Sequence, residues 1–590
     1  MTNRDPSQIG TVRIAGAAAL ITGLTVFARI AGFARTFVFL HTVGIDDLAN
    51  IYNAANTIPN IVFELVAGGA LASLVVPLLA GHVAAGDTRR VGAVSSALLT
   101  WVLVLMVPLA LLVWLLAGPI AGLLPKVPAD HQETAASMLR VFAPQLPLYG
   151  IGIVLTGVLQ AHHRFAWPVI APLLSSVTVM GAYLTYAAVD GAKSDFGGLT
   201  RTGELTLSAG TTAGVVVLAL CLLIPLRRLR LRLRPALRFP GGEGRQAVRL
   251  GWAGAVTVGS QQIMTIVVIA LAVSGALTAY NAAQTVFLLP WAVLAVPLAT
   301  AVYPTLSAAA ARGDEETYRA SLSASARTVV LLAGLGAAAL AALAGPISYL
   351  IDAQPAESGI AGFAPGLFGY ALFALLSRAL YARGATVAAA ASTAAGWLVA
   401  AAVALITAGA GGGATVLGLS LASSAGMTVL GVLLVLAVRR HAVGDALAGL
   451  GRATTVGIVA AGIAALAGWG VVAGIGHLVG ARPTLGGSLV QGVLGGLVVL
   501  AVFGAVVYPT ARQDLAPVTR RIRALRARSA RRGAGEDGPA NVSGGGPASQ
   551  GGGSAPQGGG PASQGGGPAS QGGGPASQGG GPASQGGADA

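Results

Sequence analysis

The sequence predicts an all-α membrane protein with about fourteen transmembrane helices. Of its 590 residues, 54% are hydrophobic and only 10% are charged, whereas a soluble domain carries roughly 25% charged residues. Apolar stretches of about 18 or more residues recur from residue 14 to residue 508. In lipid, such a stretch satisfies its backbone hydrogen bonds only as a helix. The first ~510 residues therefore form one membrane domain.

Charged residues and Gly- or Pro-rich breaks divide this domain into candidate spans. These are 14–38, 49–81, 92–117, 134–160, 166–189, 206–226, 247–272, 277–306, 321–350, 359–381, 384–408, 414–438, 453–479 and 485–508. A basic stretch near residue 235 separates six spans from eight, which indicates two six-helix lobes plus two C-terminal helices. The predicted regions are an N-terminus (1–13), an N-terminal lobe (14–226), a basic linker (227–246), a C-terminal lobe (247–438), the last two helices (453–508), a basic segment (509–543) and a tail (544–590).

The basic residues predict the orientation of these spans. If both termini are cytoplasmic, 29 of the 36 basic residues fall in cytoplasmic regions. The exceptions are Lys126, Lys193, Arg201 and Arg482 in outside loops and Arg29, Arg35 and Arg140 within spans. This bias follows the positive-inside rule and predicts a multi-pass protein of the plasma membrane with both termini in the cytoplasm.

The same distribution explains the net charge of +15 without nucleic acid. The runs RRLRLRLRPALR (227–238) and RRIRALRARSARR (520–532) are predicted to lie against anionic membrane lipids. They lack the interleaved aromatic residues of nucleic-acid-binding segments, so no nucleic-acid partner is predicted. From residue 544 to 585 the heptad GGGPASQ occurs six times, once as GGGSAPQ, which is typical of a disordered tail.

The sequence predicts neither an enzyme nor a cofactor. It contains no phosphate-binding loop of the form GxxxxGK[ST], so ATP hydrolysis by that motif is excluded. His162 and His163 have no third ligand nearby in the sequence, and Cys221 lies within an apolar run. No metal site is predicted.

Two arginines within the first span, Arg29 and Arg35, are the main candidates for a functional site. Placing a charged side chain inside lipid costs roughly 2.5–3.5 kcal/mol, so an arginine within a span is a candidate for a functional role. Six residues correspond to about 240° around an ideal helix, and the pair would share a face only if Gly32 bends or unwinds the helix. Two guanidinium groups lining one cavity could hold a pyrophosphate. The alternative is that they extend to a membrane interface or pair with a carboxylate such as Glu64.

The second span begins with a polar stripe at three- and four-residue spacing. Its members are Asn50, Asn53, Asn56, Thr57 and Asn60. Pro59 and the pair Gly68–Gly69 favour a discontinuous helix, as found around transporter cavities. We therefore predict that Asn53, Asn56, Asn60 and Glu64 bind substrate. The alternative is tight helix packing through small and polar residues.

A weaker polar signal lies in the seventh and eighth spans. The candidate substrate-binding residues there are Gln261, followed by Gln284 and Thr285 ahead of Pro290 and Pro297. They could form the polar wall of the second lobe, or they could only bridge helices.

Four segments resemble the MurJ/MviN family of lipid II flippases, within the multidrug/oligosaccharidyl-lipid/polysaccharide transporter superfamily. They are ARIAGFAR (28–35), ANTIPNIVFELVAGGALASLVVPLL (55–79), FLLPWAVLAVPLATAVYPTLS (287–307) and LLSRALYARG (375–384). The resemblance covers about residues 20–510, and NTIPNIVFEL is more similar to the actinobacterial branch.

The resemblance implies two six-helix lobes around a central cationic cavity, with two further helices forming a lipid-facing groove. It implies transport of undecaprenyl-pyrophosphate-linked disaccharide-pentapeptide from the inner to the outer leaflet, with Arg29 and Arg35 holding the pyrophosphate. Some positions depart from the family pattern. Phe63 and Glu64 stand where many members have two arginines, AGG (67–69) replaces an acidic motif, and the arginine expected near Gln284 is absent. The cavity is then less cationic.

Three functional hypotheses follow. The first is a lipid II flippase that works by alternating access. The second is a transporter for another substrate, either another polyprenyl-linked glycan or small cations, although only Glu64 is placed to serve a cation. The third is a non-transporting scaffold that tethers cell-wall synthesis proteins through its basic segment and repeat tail.

Overall fold

The computed structural model describes residues 24, 27–64, 69–124, 128–162, 164–193, 196–239, 243–272, 275–409, 415–442, 444–479 and 484–511. The predicted N-terminal segment 1–13, the basic segment beyond residue 511 and the repeat tail lie outside these residues. Within the described part, the regular elements are helices. The longer ones are α1 (27–42), α2 (Asp47–Phe63), α3 (Gly69–Ala84), α4 (Thr88–Leu115), α5 (Ala117–Leu123), α6 (Gln132–Phe142), α7 (Gln145–Ala161), α8 (Ala166–Val189), α9 (Arg201–Leu220), α10 (Leu223–Arg227), α11 (Glu243–Leu271), α12 (Ala276–Pro290), α13 (Val296–Arg312), α14 (Glu315–Leu350), α15 (Ala356–Phe363), α16 (Gly366–Ala382), α17 (Thr386–Gly409), α18 (Val416–His441), α19 (Leu450–Val479) and α20 (Leu485–Ala511).

The all-α membrane class is confirmed. In the described residues, ten helical segments are long and apolar enough to cross a membrane, or eleven if the bent pair α15–α16 forms one span. The first, second and seventh predicted spans are not among them, because parts of each fall outside the described residues or side chains. The count of fourteen therefore stays a prediction.

Several helices begin at side chains that cap their free N–H groups. Asp87 and Thr200 cap α4 and α9 by accepting from backbone N–H groups at 2.9 and 3.1 Å. Thr415 caps α18 in the same way. Asp314 caps α14 by accepting from the Thr317 N–H at 3.0 Å, and this hydrogen bond lowers the pKa of the Asp314 carboxyl. The caps mark where these four helices begin.

The helices pack in two sets that meet at a limited interface. In the first set α7 packs on α3, α4 and α9, while α2 packs on α6. In the second set α18 packs on α16 and α17, and α14 packs on α13 and α16. The sets meet where α2 contacts α12 and α3 contacts α11. Helices α19 and α20 pack on each other and on α14, and the three helices share a small apolar core.

Two predicted spans are interrupted within the described residues. In the second predicted span α2 runs unbroken through Pro59 to Phe63 and α3 begins at Gly69, while the predicted break beside Gly68 lies outside the described residues. In the eighth span a π-helical turn, Trp291–Ala295, joins α12 to α13. The tenth span bends by 53° between α15 and α16. Such interruptions are tolerated in lipid only where other groups satisfy the freed backbone atoms, and π turns often mark functional sites.

Glycines allow α16, α17 and α18 to approach closely. A Cβ at Gly369 would overlap the carbonyl oxygen of Met427, and a Cβ at Gly426 would lie 2.5 Å from the Cβ of Ala400. We expect Gly369→Ala and Gly426→Ala each to destabilise the protein by about 1–3 kcal/mol through overpacking. A thermal unfolding scan in detergent measures this. Gly462→Ala is the control because no atom lies within 4 Å of the added Cβ; an equal loss in all three variants would contradict the packing argument.

Candidate functional site

A cavity of about 480 Å³ lies among α1, α8, α9 and α12. Its polar lining residues are Arg29, Arg35, Thr36, Ser175, Ser176 and Thr285. Apolar residues, including Pro168, Leu218 and Leu289, complete the wall. The cavity is therefore amphipathic, with its cationic side on α1.

Arg29 and Arg35 line this one cavity although α1 is helical through Gly32. The predicted interruption at Gly32 is therefore not needed, because neighbouring helices form a cavity that extends around α1. Both side chains are exposed to it. In the described part of the chain neither arginine forms an ion pair, so the predicted alternative of pairing with Glu64 is not seen. Two unpaired guanidinium groups on a membrane helix are suited to an anionic ligand.

The two arginines face different walls. Arg35 is close enough to interact electrostatically with the buried tyrosines Tyr52, Tyr149 and Tyr183 of the first helix set. Arg29 interacts in the same way with Tyr370 on α16, in the second set. The pair therefore spans the boundary between the two sets of helices.

The polar stripe of α2 divides into two parts. Asn53 donates to the Thr278 hydroxyl of α12 at 2.9 Å, and Asn50 accepts from the N–H and hydroxyl of Thr278 at 3.1 and 3.0 Å. This part bridges two helices, as the packing alternative predicts. Further along α2, Asn60 donates to the carbonyl of Asn56 at 3.0 Å.

The second part of the stripe lies near Arg35. The Tyr149 hydroxyl donates to the Gln145 side chain at 3.3 Å, and Asn60 and Glu64 of α2 lie close enough to Tyr149 to interact with it electrostatically. The amide oxygen of Asn56 is buried and has no hydrogen-bond partner among the described residues. Asn56, Asn60 and Glu64 are not lining residues of the cavity itself. They form a separate polar cluster around Tyr149.

Of the three residues predicted on the seventh and eighth spans, one lines the cavity and two do not. Thr285 lines the cavity, and its hydroxyl donates to the Asn281 carbonyl at 2.8 Å. Gln284 is half-buried on α12 and Gln261 is exposed on α11; neither lines the cavity. The structure thus places Arg29, Arg35 and Thr285 together at the cavity, and the other six predicted residues do not line it.

Sequence reasoning missed Ser175 and Ser176, which line the cavity from α8. They stand in the apolar run APLLSSVTV (171–179), three and four residues after Pro172. The Ser176 hydroxyl donates to the Pro172 carbonyl at 2.9 Å. A Ser pair after a proline within a span is the signal that could have indicated this wall.

A set of contacts, which we call the outer contacts, joins the two helix sets at the end of α1 beyond the cavity. Lys193 forms an ion pair with Asp352, and the Lys193 N–H donates to the Thr42 carbonyl at 2.7 Å. The Asn50 and Asn53 bonds to Thr278 belong to the same set. Lys193 and Asp352 both have positive φ angles, 56° and 57°, a conformation that is uncommon outside glycine. Such backbone conformations are often found at switch regions.

Comparison with known proteins decides the family. The sequence model described as "Lipid II flippase MurJ" matches residues 39–480 of this chain. The chain belongs to the MurJ family. A lipid II flippase MurJ of Burkholderia cenocepacia is 27% identical over 389 residues, which cover 62% of this chain and 72% of the relative. A probable lipid II flippase MurJ of Rhizobium meliloti is 27% identical over 371 residues, covering 60% and 67%.

Solved structures agree with the MurJ fold. A lipid II flippase MurJ in an inward closed conformation superposes with a TM-score of 0.65 at 17% identity, covering 83% of this chain and 99% of that chain. A multidrug resistance MATE family transporter of the MOP superfamily, in an inward-facing conformation, gives 0.56 at 15% identity, covering 74% and 99%. The predicted family is confirmed. Flippases are transporters, so this MurJ-family chain is a multi-pass membrane transporter and not an enzyme.

Proposed function

We propose that this protein moves lipid II, the undecaprenyl-pyrophosphate-linked peptidoglycan precursor, from the inner to the outer leaflet by alternating access. The observation that carries this proposal is the cavity with two unpaired arginines in a chain of the MurJ family. Arg29 and Arg35 would grip the pyrophosphate oxygens, because a guanidinium group presents paired donors that fit such oxyanions. Thr285 and Ser175 supply further donors at the same wall.

The arrangement of the cavity supports recognition of the substrate's headgroup end. A volume of about 480 Å³ is within the range of small-molecule sites and accommodates a small part of a disaccharide-pentapeptide. The cavity would thus hold the pyrophosphate and the adjoining sugar. The lipid tail would stay in the bilayer beside α19 and α20, whose large apolar side chains, such as Leu466 and Trp469, are exposed.

The polar cluster around Tyr149 is a second place for substrate contact. The buried, unpartnered amide oxygen of Asn56 can accept from a donor on a sugar or peptide, because a buried acceptor without a partner is costly. Asn60 donates to the Asn56 backbone carbonyl, and Glu64 lies four residues further along the chain. For Asn53 we propose helix bridging rather than substrate contact, since its amide donates to Thr278. Gln261 and Gln284 are proposed to contact substrate only when the helix sets move.

The outer contacts fit an alternating-access mechanism. They hold the two helix sets together on the side predicted to face outward, so the cavity is shut on that side. Breaking them while the helix sets rock would reopen the cavity to the outer leaflet. We place the protein in the plasma membrane with both termini in the cytoplasm, and its partners as a polyprenyl-pyrophosphate glycolipid, anionic membrane lipids and cell-wall synthesis proteins.

Depletion of the protein in its host tests the proposal. We expect lipid II to accumulate on the inner leaflet, because the flipped substrate no longer reaches the outer leaflet. Labelling of accessible lipid II on intact and opened cells measures the two pools. If another polyprenyl-linked glycan accumulates and lipid II does not, that glycan is the transported substrate. Arg29 and Arg35 would hold its pyrophosphate in the same way. Unchanged lipid distribution together with mislocalised cell-wall enzymes would favour the scaffold hypothesis.

A further inference from the structure

The basic run after α10 is built into the fold as an extended strap along α4. The backbone N–H groups of Arg234 and Ala236 donate to Ser96 and Thr100 of α4, each at 3.0 Å. The Trp101 indole donates to the Leu237 carbonyl at 2.9 Å. Regularly spaced hydrogen bonds to one helix fix the path of this segment, which we call the strap (residues 228–238). It does not simply lie on the membrane surface.

Leucines and arginines of the strap have different surroundings. Leu229 and Arg230 lie in the turn after α10, where Arg230 has a φ of 51°, and residues 231–236 follow without regular secondary structure. Leu229 and Leu231 pack against the apolar core of α4 and α7. Arg230, Arg232 and Arg234, two residues apart, line a pocket of about 680 Å³.

The pocket collects positive charge without a balancing carboxylate. Arg89 of α4 faces the three strap arginines, together with the polar residues Thr88 and Ser96. No ion pair among the described residues involves any of the four arginines. The nearby Asp87 is engaged as the cap of α4. Four guanidinium groups facing one space repel one another, so an anion in that space stabilises the arrangement.

The side chains beside the pocket are of the kinds found at a membrane interface. Trp101, one turn beyond Ala97 on α4, is partly exposed, as is typical of the membrane interface, and Leu237 of the strap is 58% exposed. From Leu103 onward, α4 exposes a run of large apolar side chains that suit contact with acyl chains. A ligand in the pocket can therefore keep its tails in the bilayer.

We propose that this pocket binds the phosphate group of a membrane lipid on the cytoplasmic side. The guanidinium groups match phosphate oxygens in geometry and charge. The volume of about 680 Å³ suits a phosphorylated headgroup rather than a single small ion. This site is distinct from the cavity between α1, α8 and α12, because the two share no lining residue.

Titration of the purified full-length protein with phosphatidylglycerol, followed by native mass spectrometry, tests the proposal. The pocket variant carries Arg230→Gln, Arg232→Gln and Arg234→Gln. The control variant carries Arg312→Gln, Arg439→Gln and Arg440→Gln, which remove equal charge from exposed positions outside the pocket. We expect the pocket variant to bind phosphatidylglycerol about tenfold more weakly or worse, and the control variant to bind as the wild type does. Binding of phosphatidylcholine should not differ among the three proteins.

A second variant distinguishes loss of lipid binding from misfolding of the strap. Arg89→Gln leaves the strap intact and removes one wall of the pocket, so it should weaken binding several-fold with an unchanged unfolding midpoint. Inorganic pyrophosphate identifies the source of the phosphate. Competition only at far higher concentration than phosphatidylglycerol supports a lipid headgroup, whereas competition at equal concentration would overturn the lipid assignment. Equal losses in the pocket and control variants, or no loss in Arg89→Gln, would overturn the site.

Discussion

Replacing Arg29 and Arg35 together by glutamine is expected to abolish lipid II transport while leaving the protein folded. Each guanidinium can form charge-assisted hydrogen bonds worth about 1.5–3 kcal/mol with the pyrophosphate, so the double change should lower transport by two orders of magnitude or more. Folding should survive because neither arginine forms an ion pair in the described part of the chain. The measurement is lipid II accessible on the outer leaflet of depleted cells that carry each variant.

Arg140 provides the matched control. It is the third arginine within a predicted span, it is exposed on α6, and it does not line the cavity. Arg140→Gln should therefore support normal transport at equal protein level. Arg29→Lys and Arg35→Lys should be intermediate, because lysine keeps the charge and loses the planar fork. Full activity of the double glutamine variant, with the membrane level checked by immunoblot, would contradict the pyrophosphate grip.

The fold class and the importance of Arg29 and Arg35 could be predicted from the sequence because both follow from the properties of lipid as a solvent. Lipid requires apolar segments to form helices, and it makes a charged side chain within such a segment energetically costly, so that Arg29 and Arg35 become functional candidates. On an isolated helix the two arginines would share a face only if Gly32 bent or unwound it, whereas α1 is helical through Gly32 and both arginines still line one cavity. Neighbouring α8 and α12 shape the cavity around it.

The asparagine stripe shows what local patterns leave open. Asn53 and Asn60 are two turns apart on one face of α2, yet Asn53 bonds Thr278, 225 residues away in the sequence, while Asn60 donates to the Asn56 carbonyl of its own helix. The partners of a polar stripe are set by long-range packing, which spacing does not reveal. The basic run 227–238 was predicted to lie against anionic lipids, but its hydrogen bonds to α4 could not be predicted from its charges.

Breaking the outer contacts is expected to shift the protein toward an outward-open state. The Lys193–Asp352 pair is partly exposed, with side chains 41% and 28% accessible, so it contributes at most about 1 kcal/mol. The hydrogen bonds to Thr278 add about 0.5–1.5 kcal/mol each. Combining Lys193→Met, Asp352→Asn and Thr278→Val should therefore move the conformational equilibrium by roughly ten- to a hundredfold.

Labelling of a cysteine in the cavity measures that shift. Ser176→Cys, in a Cys221→Ala background, places the single thiol at the cavity wall, and a membrane-impermeant reagent added outside should label it faster when the outer contacts are removed. Arg201→Gln is the control, because Arg201 pairs with Glu204 of its own helix α9 and joins no two helix sets. If Arg201→Gln raises the labelling rate as much as the triple change, general loss of outside charge explains the effect. If neither the triple change nor Arg201→Gln raises the labelling rate, the outer contacts form as a result of closure and do not stabilise the closed state. The energy that keeps the cavity closed must then come from the contact of α2 and α3 with α11 and α12.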